Sequence, residues 1–160
     1  MLAGLEDIVM RLRVGDLYAA YVACLDERRF DAWPELFTED GRYALQPREN
    51  YDRGLPLATM ALESRGMMRD RVYGVTKTLY HDPYYQRHSI SGLQVKEEGE
   101  TIRAEANYLV VRTKPNELTQ LFNAGRYFDR IVEHDGQLKF AEKLAVFDSE
   151  LIPNSIIYPI

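Results

Sequence analysis

Three histidines (His81, His88 and His134), one cysteine (Cys24) and 25 Asp or Glu residues are the side chains with which this chain could do chemistry. One cysteine cannot supply an iron–sulfur cluster held by two Cys and two His, nor a Cys-ligated zinc site. It also rules out an internal disulfide. A mononuclear iron site asks for two His and a carboxylate that converge. His81 and His88 could be the pair, with Asp70 or Asp82 as third ligand, but they stand seven residues apart with Pro83 between them. Neither a helix nor a strand makes such a spacing converge. A general base needs less: His81 beside Asp82, or His88 with a carboxylate, projecting into a pocket. Against this, His88 lies between Arg87 and Ser89 at the start of a strand-like run, where structural or interface hydrogen bonds are the commoner use. Cys24, spaced with Tyr21 and Leu25 on a helix, reads as a core thiol. No GxGxxG, GxxxxGK[ST] or GxSxG motif is present.

The elements that must position these residues are legible from periodicity. Leu5, Ile8, Val9 and Leu12 follow the spacing of an amphipathic helix. After Gly15 the apolar phase moves to Leu17, Tyr21, Cys24 and Leu25, which fits one kinked helix or two abutting ones. Phe30 to Phe37 predicts a short second helix, with Trp33, Leu36 and Phe37 sealing one end of the core. Residues 41–46 read as a strand, 47–54 as a polar loop, 57–63 as strand or helix, and 65–77 as a helix. Four long runs follow, at 85–97, 101–113, 118–133 and 137–149. In the second, Ile102, Ala104, Ala106, Tyr108 and Val110 alternate with polar residues, the mark of a half-covered strand. Glu98-Gly99, Lys114-Pro115-Asn116 and Asp135-Gly136 are turn-forming separators. Strands joined by such short turns pair antiparallel. Helices first and a meander afterwards give an α+β fold, with N-terminal helices on one face of a curved, mainly antiparallel sheet.

Size and charge bound the function class. With 160 residues, 46% apolar and 28% charged, the chain reads as a single domain over residues 1–160. Its net charge of −5 and lack of a Lys/Arg cluster argue against a nucleic-acid partner. No apolar run approaches the ~18 residues of a membrane span, so no membrane role is expected. Glu6 and Asp7 interrupt the first apolar stretch, which argues against a signal peptide and for a cytoplasmic chain. Eleven tyrosines against one tryptophan suit half-buried sheets and protein interfaces.

Five stretches carry a resemblance. Phe30-Asp31-Ala32-Trp33-Pro34-Glu35-Leu36-Phe37 followed by Glu39-Asp40-Gly41-Arg42-Tyr43, then Asp70-Arg71-Val72, then Arg87-His88-Ser89-Ile90-Ser91, come first. Gly125-Arg126-Tyr127-Phe128-Asp129 and Val146-Phe147-Asp148-Ser149 complete the series. In this order and spacing the chain resembles the small (β) subunits of Rieske-type aromatic-ring-hydroxylating dioxygenases. The branch acting on aromatic carboxylates such as salicylate, anthranilate and terephthalate is nearest. Two positions depart from the pattern: Tyr127 stands where the family often has a second Arg, and Lys143 replaces a more usual Arg in the last strand.

The resemblance implies the cone-shaped α+β fold of nuclear transport factor 2, with the helices on the concave face. It implies a large α subunit that carries the Rieske [2Fe-2S] cluster, the mononuclear Fe(II) and the substrate pocket. Three such subunits would pair with three of these chains in an α3β3 hexamer, with ferredoxin and reductase acting on the α subunit. The expected site list for this chain is then empty: no catalytic, cofactor-binding or metal-ligating residue. Asp70, Arg71, Arg87, His88, Arg126 and Asp129 are expected to serve charge pairing and hydrogen bonding. The rival from another class is a stand-alone cone-fold isomerase or dehydratase with a His–carboxylate pair. Its signature would be His88 or His81 beside a carboxylate and room for a ligand.

Overall fold

A computed structural model describes residues 4–152 and 155–160. Helix α1 spans Leu5–Asp26, and 3-10 turns at Phe30–Ala32 and Pro34–Leu36 lead into strand β1, Phe37–Pro47. A short helix α2 (Arg48–Asp52), strand β2 (Met60–Leu62) and helix α3 (Arg65–Tyr73) follow, and α3 runs into a π-turn at Gly74–Thr78. The long strands come last: β3 Tyr85–Glu98, β4 Thr101–Thr113, β5 Gln120–His134 and β6 Gln137–Phe147.

Helix α1 is one unbroken helix through Gly15, where the sequence left a kink open. Asp7 accepts from the Gly4 N–H at 3.0 Å and, with Glu6, puts negative charge at the positive end of the helix dipole. At the other end Arg28 turns the chain out of the helix with φ 58°. The apolar phase change therefore does not bend the helix; it moves the stripe to the opposite face. At ~100° per residue, Leu5, Ile8, Val9 and Leu12 lie roughly opposite Val14, Leu17, Tyr18, Tyr21, Cys24 and Leu25. Only the second set is buried, and the first set stays exposed. The expected helix over Phe30 to Phe37 is two 3-10 turns instead, because Pro34 has no N–H to continue a hydrogen-bonded helix. Trp33 and Phe37 are nonetheless fully buried, with Leu36 packed against them. The loop expected at 47–54 contains α2.

The six strands form one open sheet in the order β2-β1-β6-β5-β4-β3. Strands β3 to β6 are the antiparallel meander the turns dictate. The Asp135-Gly136 turn has φ of 52° and 76°, the pair of positive values a type I′ hairpin needs. Strand β1 departs from this pattern and joins β6 in parallel, with β2 antiparallel on its outer side. Helix α1 packs its second apolar stripe on the sheet, and the closing segment folds back over the same core through Ile156, Tyr158 and Ile160.

Candidate functional site

The space between α1 and the sheet, where a small molecule would have to bind for cone-type chemistry, is filled by side chains. Tyr18 and Tyr21 from α1 meet Tyr43, Tyr108, Tyr127, Phe37 and Phe140 from the strands, all at most 2% exposed. Tyr108 stacks on Tyr127 at 4.4 Å between ring centroids, and Tyr21 stands edge-on to Phe140 at 5.6 Å. Four of these five tyrosine hydroxyls have partners, and the Tyr127 hydroxyl has none among the described residues. Tyr21 donates to the Ile160 carbonyl at 2.6 Å, Tyr108 donates to Asn123 Oδ1 at 2.7 Å, and Tyr43 accepts from the Ile160 N–H at 2.8 Å. Desolvation pushes the Tyr21, Tyr43, Tyr108 and Tyr127 hydroxyls well up, so none is disposed to ionise.

At the centre of this packing is a buried ion pair. Asp129 on β5 and Lys143 on β6 are direct partners across the ladder, and Lys143 Nζ donates to Asp129 Oδ2 at 2.8 Å with neither side chain exposed. The same carboxylate oxygen accepts from the Tyr18 hydroxyl. Lys143 Nζ also lies 3.6 Å from the Tyr127 ring centroid, 4.4 Å from Tyr21, 4.5 Å from Tyr18 and 4.7 Å from Phe140. Four aromatic faces thus surround the ammonium, each attracting it electrostatically. Burial pushes the Asp129 carboxyl up and the Lys143 ammonium down, and each partner's charge opposes the other's shift. The arrangement satisfies a charge; it presents no reactive group to solvent.

The structure separates the sequence candidates. His81 lies with Nδ1 3.3 Å from the Leu79 carbonyl and Nε2 2.9 Å from the Tyr158 hydroxyl, while Asp82 pairs with Lys114 at 3.5 Å. His134 is exposed beside Asp135. Asp70 sits on α3 and joins neither His81 nor His88. Among the described residues, no three His, Cys, Asp or Glu side chains gather as a metal site. Cys24 is buried, and desolvation raises its thiol pKa, which makes it a core residue rather than a nucleophile.

His88 does have a carboxylate, and it is one the sequence did not single out. Asp26, the last residue of α1, takes the His88 ring through Nδ1 at 2.6 Å and the His88 backbone N–H at 3.0 Å. The His88 side chain is fully buried, and its Nε2 has no hydrogen-bond partner among the described residues. The pair ties the end of α1 to β3. Grooves of 430 and 520 Å³ run along α1 beside Leu93, and one of 310 Å³ lies between Tyr51, Phe128 and Arg130. Neither His81 nor His88 lines any of the three.

The remaining charged candidates pair with the chain itself or face outward. Arg71 on α3 donates to the Ile157 carbonyl at 2.7 Å, holding the closing segment, and Arg126 pairs with Glu105 at 2.8 Å across β4 and β5. Arg87 points to the outer face of the sheet. Asp26 and Tyr18 were missed because nothing in a run such as Cys24-Leu25-Asp26 marks a residue that meets a strand 62 positions later.

Comparison with known proteins agrees with this arrangement. The SnoaL-like domain family matches residues 6–143. The chain is 33% identical over 157 residues to the anthranilate 1,2-dioxygenase small subunit of Burkholderia cepacia, covering 97% of each. It is 27% identical over 155 residues to the terephthalate 1,2-dioxygenase terminal oxygenase component subunit beta 2 of a Comamonas species, covering 96% of this chain and 100% of that one. In solved structures, it superposes with TM-score 0.86 and 35% identity on a beta subunit assigned to an aromatic-ring-hydroxylating dioxygenase of Novosphingobium aromaticivorans, covering 96% and 98%. A closed aromatic interior, a buried ion pair and full-length likeness at these levels lead to one conclusion: the chain belongs to the family of small subunits of aromatic-ring-hydroxylating dioxygenases, on a SnoaL-like fold.

Proposed function

We propose that this chain is the structural, non-catalytic β subunit of a cytoplasmic Rieske-type oxygenase that hydroxylates an aromatic carboxylate. The observation that carries the proposal is the filled interior, where Tyr18, Tyr21, Tyr127 and Phe140 close around Lys143 and Asp129. A large α subunit supplies the Rieske cluster, the mononuclear iron and the substrate pocket, and receives electrons from a ferredoxin and reductase. The donor set of this chain does not fit those groups: one Cys cannot hold the cluster, and His81 and His88 engage different partners. Its site list stays empty for catalysis, cofactor and metal, and residues 1–160 act as one domain. The substrates named for the relatives, anthranilate and terephthalate, support an aromatic carboxylate.

Co-expression with the cognate large subunit tests this. The expected product elutes at the mass of three chains of each kind, holds iron only on the large subunit, and converts an aromatic carboxylate only when both chains are present. Turnover by this chain alone, or stoichiometric iron on it alone, would overturn the proposal.

The His88–Asp26 pair favours a second reading, proton transfer by a His–carboxylate dyad of an isomerase or dehydratase. His88→Ala separates the two. A correctly assembled complex that keeps its turnover assigns the pair to structure, whereas an assembled but inactive one assigns it to catalysis.

A further inference from the structure

The outer face of the sheet at its β3–β4–β5 end carries an apolar surface that none of the described residues covers. Arg87, Val111 and Leu121 share one rung across the three strands, and Leu109 lies two residues along β4 on the same face. Tyr85 stands at the end of β3, with the Arg28 guanidinium 4.7 Å above its ring. Tyr85, Leu109 and Leu121 are 61%, 48% and 61% exposed, and Leu118 in the adjoining turn is 87% exposed. A cluster of large exposed apolar side chains on a monomer is often functional. Tyr and Arg, both present here, are also the side chains enriched among the anchors of protein interfaces.

We propose that this face docks the large oxygenase subunit, on an apolar surface of that subunit bearing carboxylates; the inference rests on the β-subunit function proposed above. Charge selects the occupant. The chain is net −5, yet this patch is fringed by two guanidiniums, Arg28 and Arg87, and neither forms an ion pair among the described residues. Ser89, Asn107 and Thr113 lie beside it; of the other charges nearby, Arg126 is already paired with Glu105 at 2.8 Å, and Glu117 flanks Leu118. A different chain offering Asp or Glu around an apolar centre would complete the patch. The exposed stripe of α1 shows no such preference, because Asp7, Arg11 and Asp16 give its grooves both signs.

The test is co-purification of the tagged chain with its cognate large subunit, read by native mass spectrometry, for wild type, Leu121→Asp, Arg87→Glu and the control Leu12→Asp. Leu121→Asp and Arg87→Glu each reduce the recovered large subunit ~tenfold or more. Leu12→Asp leaves recovery unchanged. All three variants keep the thermal midpoint of the isolated chain within about 2 °C, since each side chain is on the surface. Wild-type recovery with Leu121→Asp, or loss with Leu12→Asp instead, overturns the assignment of this face. A homo-oligomer of the isolated chain that Leu121→Asp dissociates gives the face to a second copy and overturns it equally. If the wild-type chain recovers no large subunit at all, the β-subunit function itself fails, and this face fails with it.

Discussion

Replacing Lys143 with Met isolates the energetics of the interior. The substitution keeps the length of the side chain and its contacts with Tyr18, Tyr21, Tyr127 and Phe140, but removes the charge that Asp129 faces at 2.8 Å. Neither member of the pair is exposed. Breaking a buried pair from one side leaves an uncompensated charge and costs about 3–5 kcal/mol. For a chain of this size each kcal/mol moves the thermal midpoint by about 2–4 °C, so the variant should melt roughly 6–20 °C lower. Removing both charges, as Lys143→Met with Asp129→Leu, should recover most of the loss, since apolar replacements of a buried pair are often neutral or better. Adding Tyr18→Phe should recover more, because the Tyr18 hydroxyl would otherwise lose its acceptor at about 1–3 kcal/mol.

The pH dependence follows from the same geometry. Burial already holds the Asp129 carboxyl above its ordinary range, and the Lys143 charge and hydrogen bond restrain that rise. Without Lys143 the folded-state pKa climbs further above the unfolded value of ~3.9. A carboxyl whose folded pKa is raised contributes stability below its unfolded pKa and loses it as pH rises through the folded value. The Lys143→Met deficit should therefore be smallest near pH 4 and grow toward neutrality. Urea melts followed by circular dichroism between pH 4 and 8 measure this. A cost under ~1 kcal/mol at pH 7, or a deficit that widens toward acid, would refute the account.

Three further outcomes are expected. A Cβ on Gly125 would come within 1.9 Å of the Val146 carbonyl oxygen, a backbone atom that cannot move aside cheaply, so Gly125→Ala should cost about 2–3 kcal/mol and lower the urea midpoint. His88→Ala removes the Asp26 contact at 2.6 Å and should cost about 2–3 kcal/mol in a melt of the isolated chain, while turnover of the assembled oxygenase stays within about twofold. Arg71→Met removes the donor to the Ile157 carbonyl at 2.7 Å; the segment around 156–157 should become cleavable in limited proteolysis, with about 1–2 kcal/mol lost overall.

Periodicity made most of the framework readable. The alternation of Ile102, Ala104, Ala106, Tyr108 and Val110 is a local property of a strand with one covered face, and β4 spans the same residues, 101–113, that the sequence marks. Likewise the Asp135-Gly136 turn needs two positive φ values that few other dipeptides adopt, so the β5–β6 hairpin was legible. Strand β1 was placed, but its neighbour was not. A parallel partnership with β6 rests on contacts some hundred residues apart in sequence, and no local pattern encodes that distance.

The amino-acid sequence by itself determined the α+β order, the strands and turns of the meander, the core role of Cys24, and the shortage of ligands for a cluster. These follow from residue type, spacing and counting. Tertiary structure decided the rest. Counting back from the β5–β6 turn places Asp129 opposite Glu142, two acids; an irregularity between Arg130 and Ile131 moves its partner to Lys143 and turns a repulsion into the ion pair of the core. Packing also decided that Leu5, Ile8, Val9 and Leu12 stay bare, because the sheet covers only one face of a straight helix. Asp26 became the partner of His88 only because α1 ends beside β3. Each of these depends on where an element stops against another, and that is set by the whole fold rather than by the residues nearby.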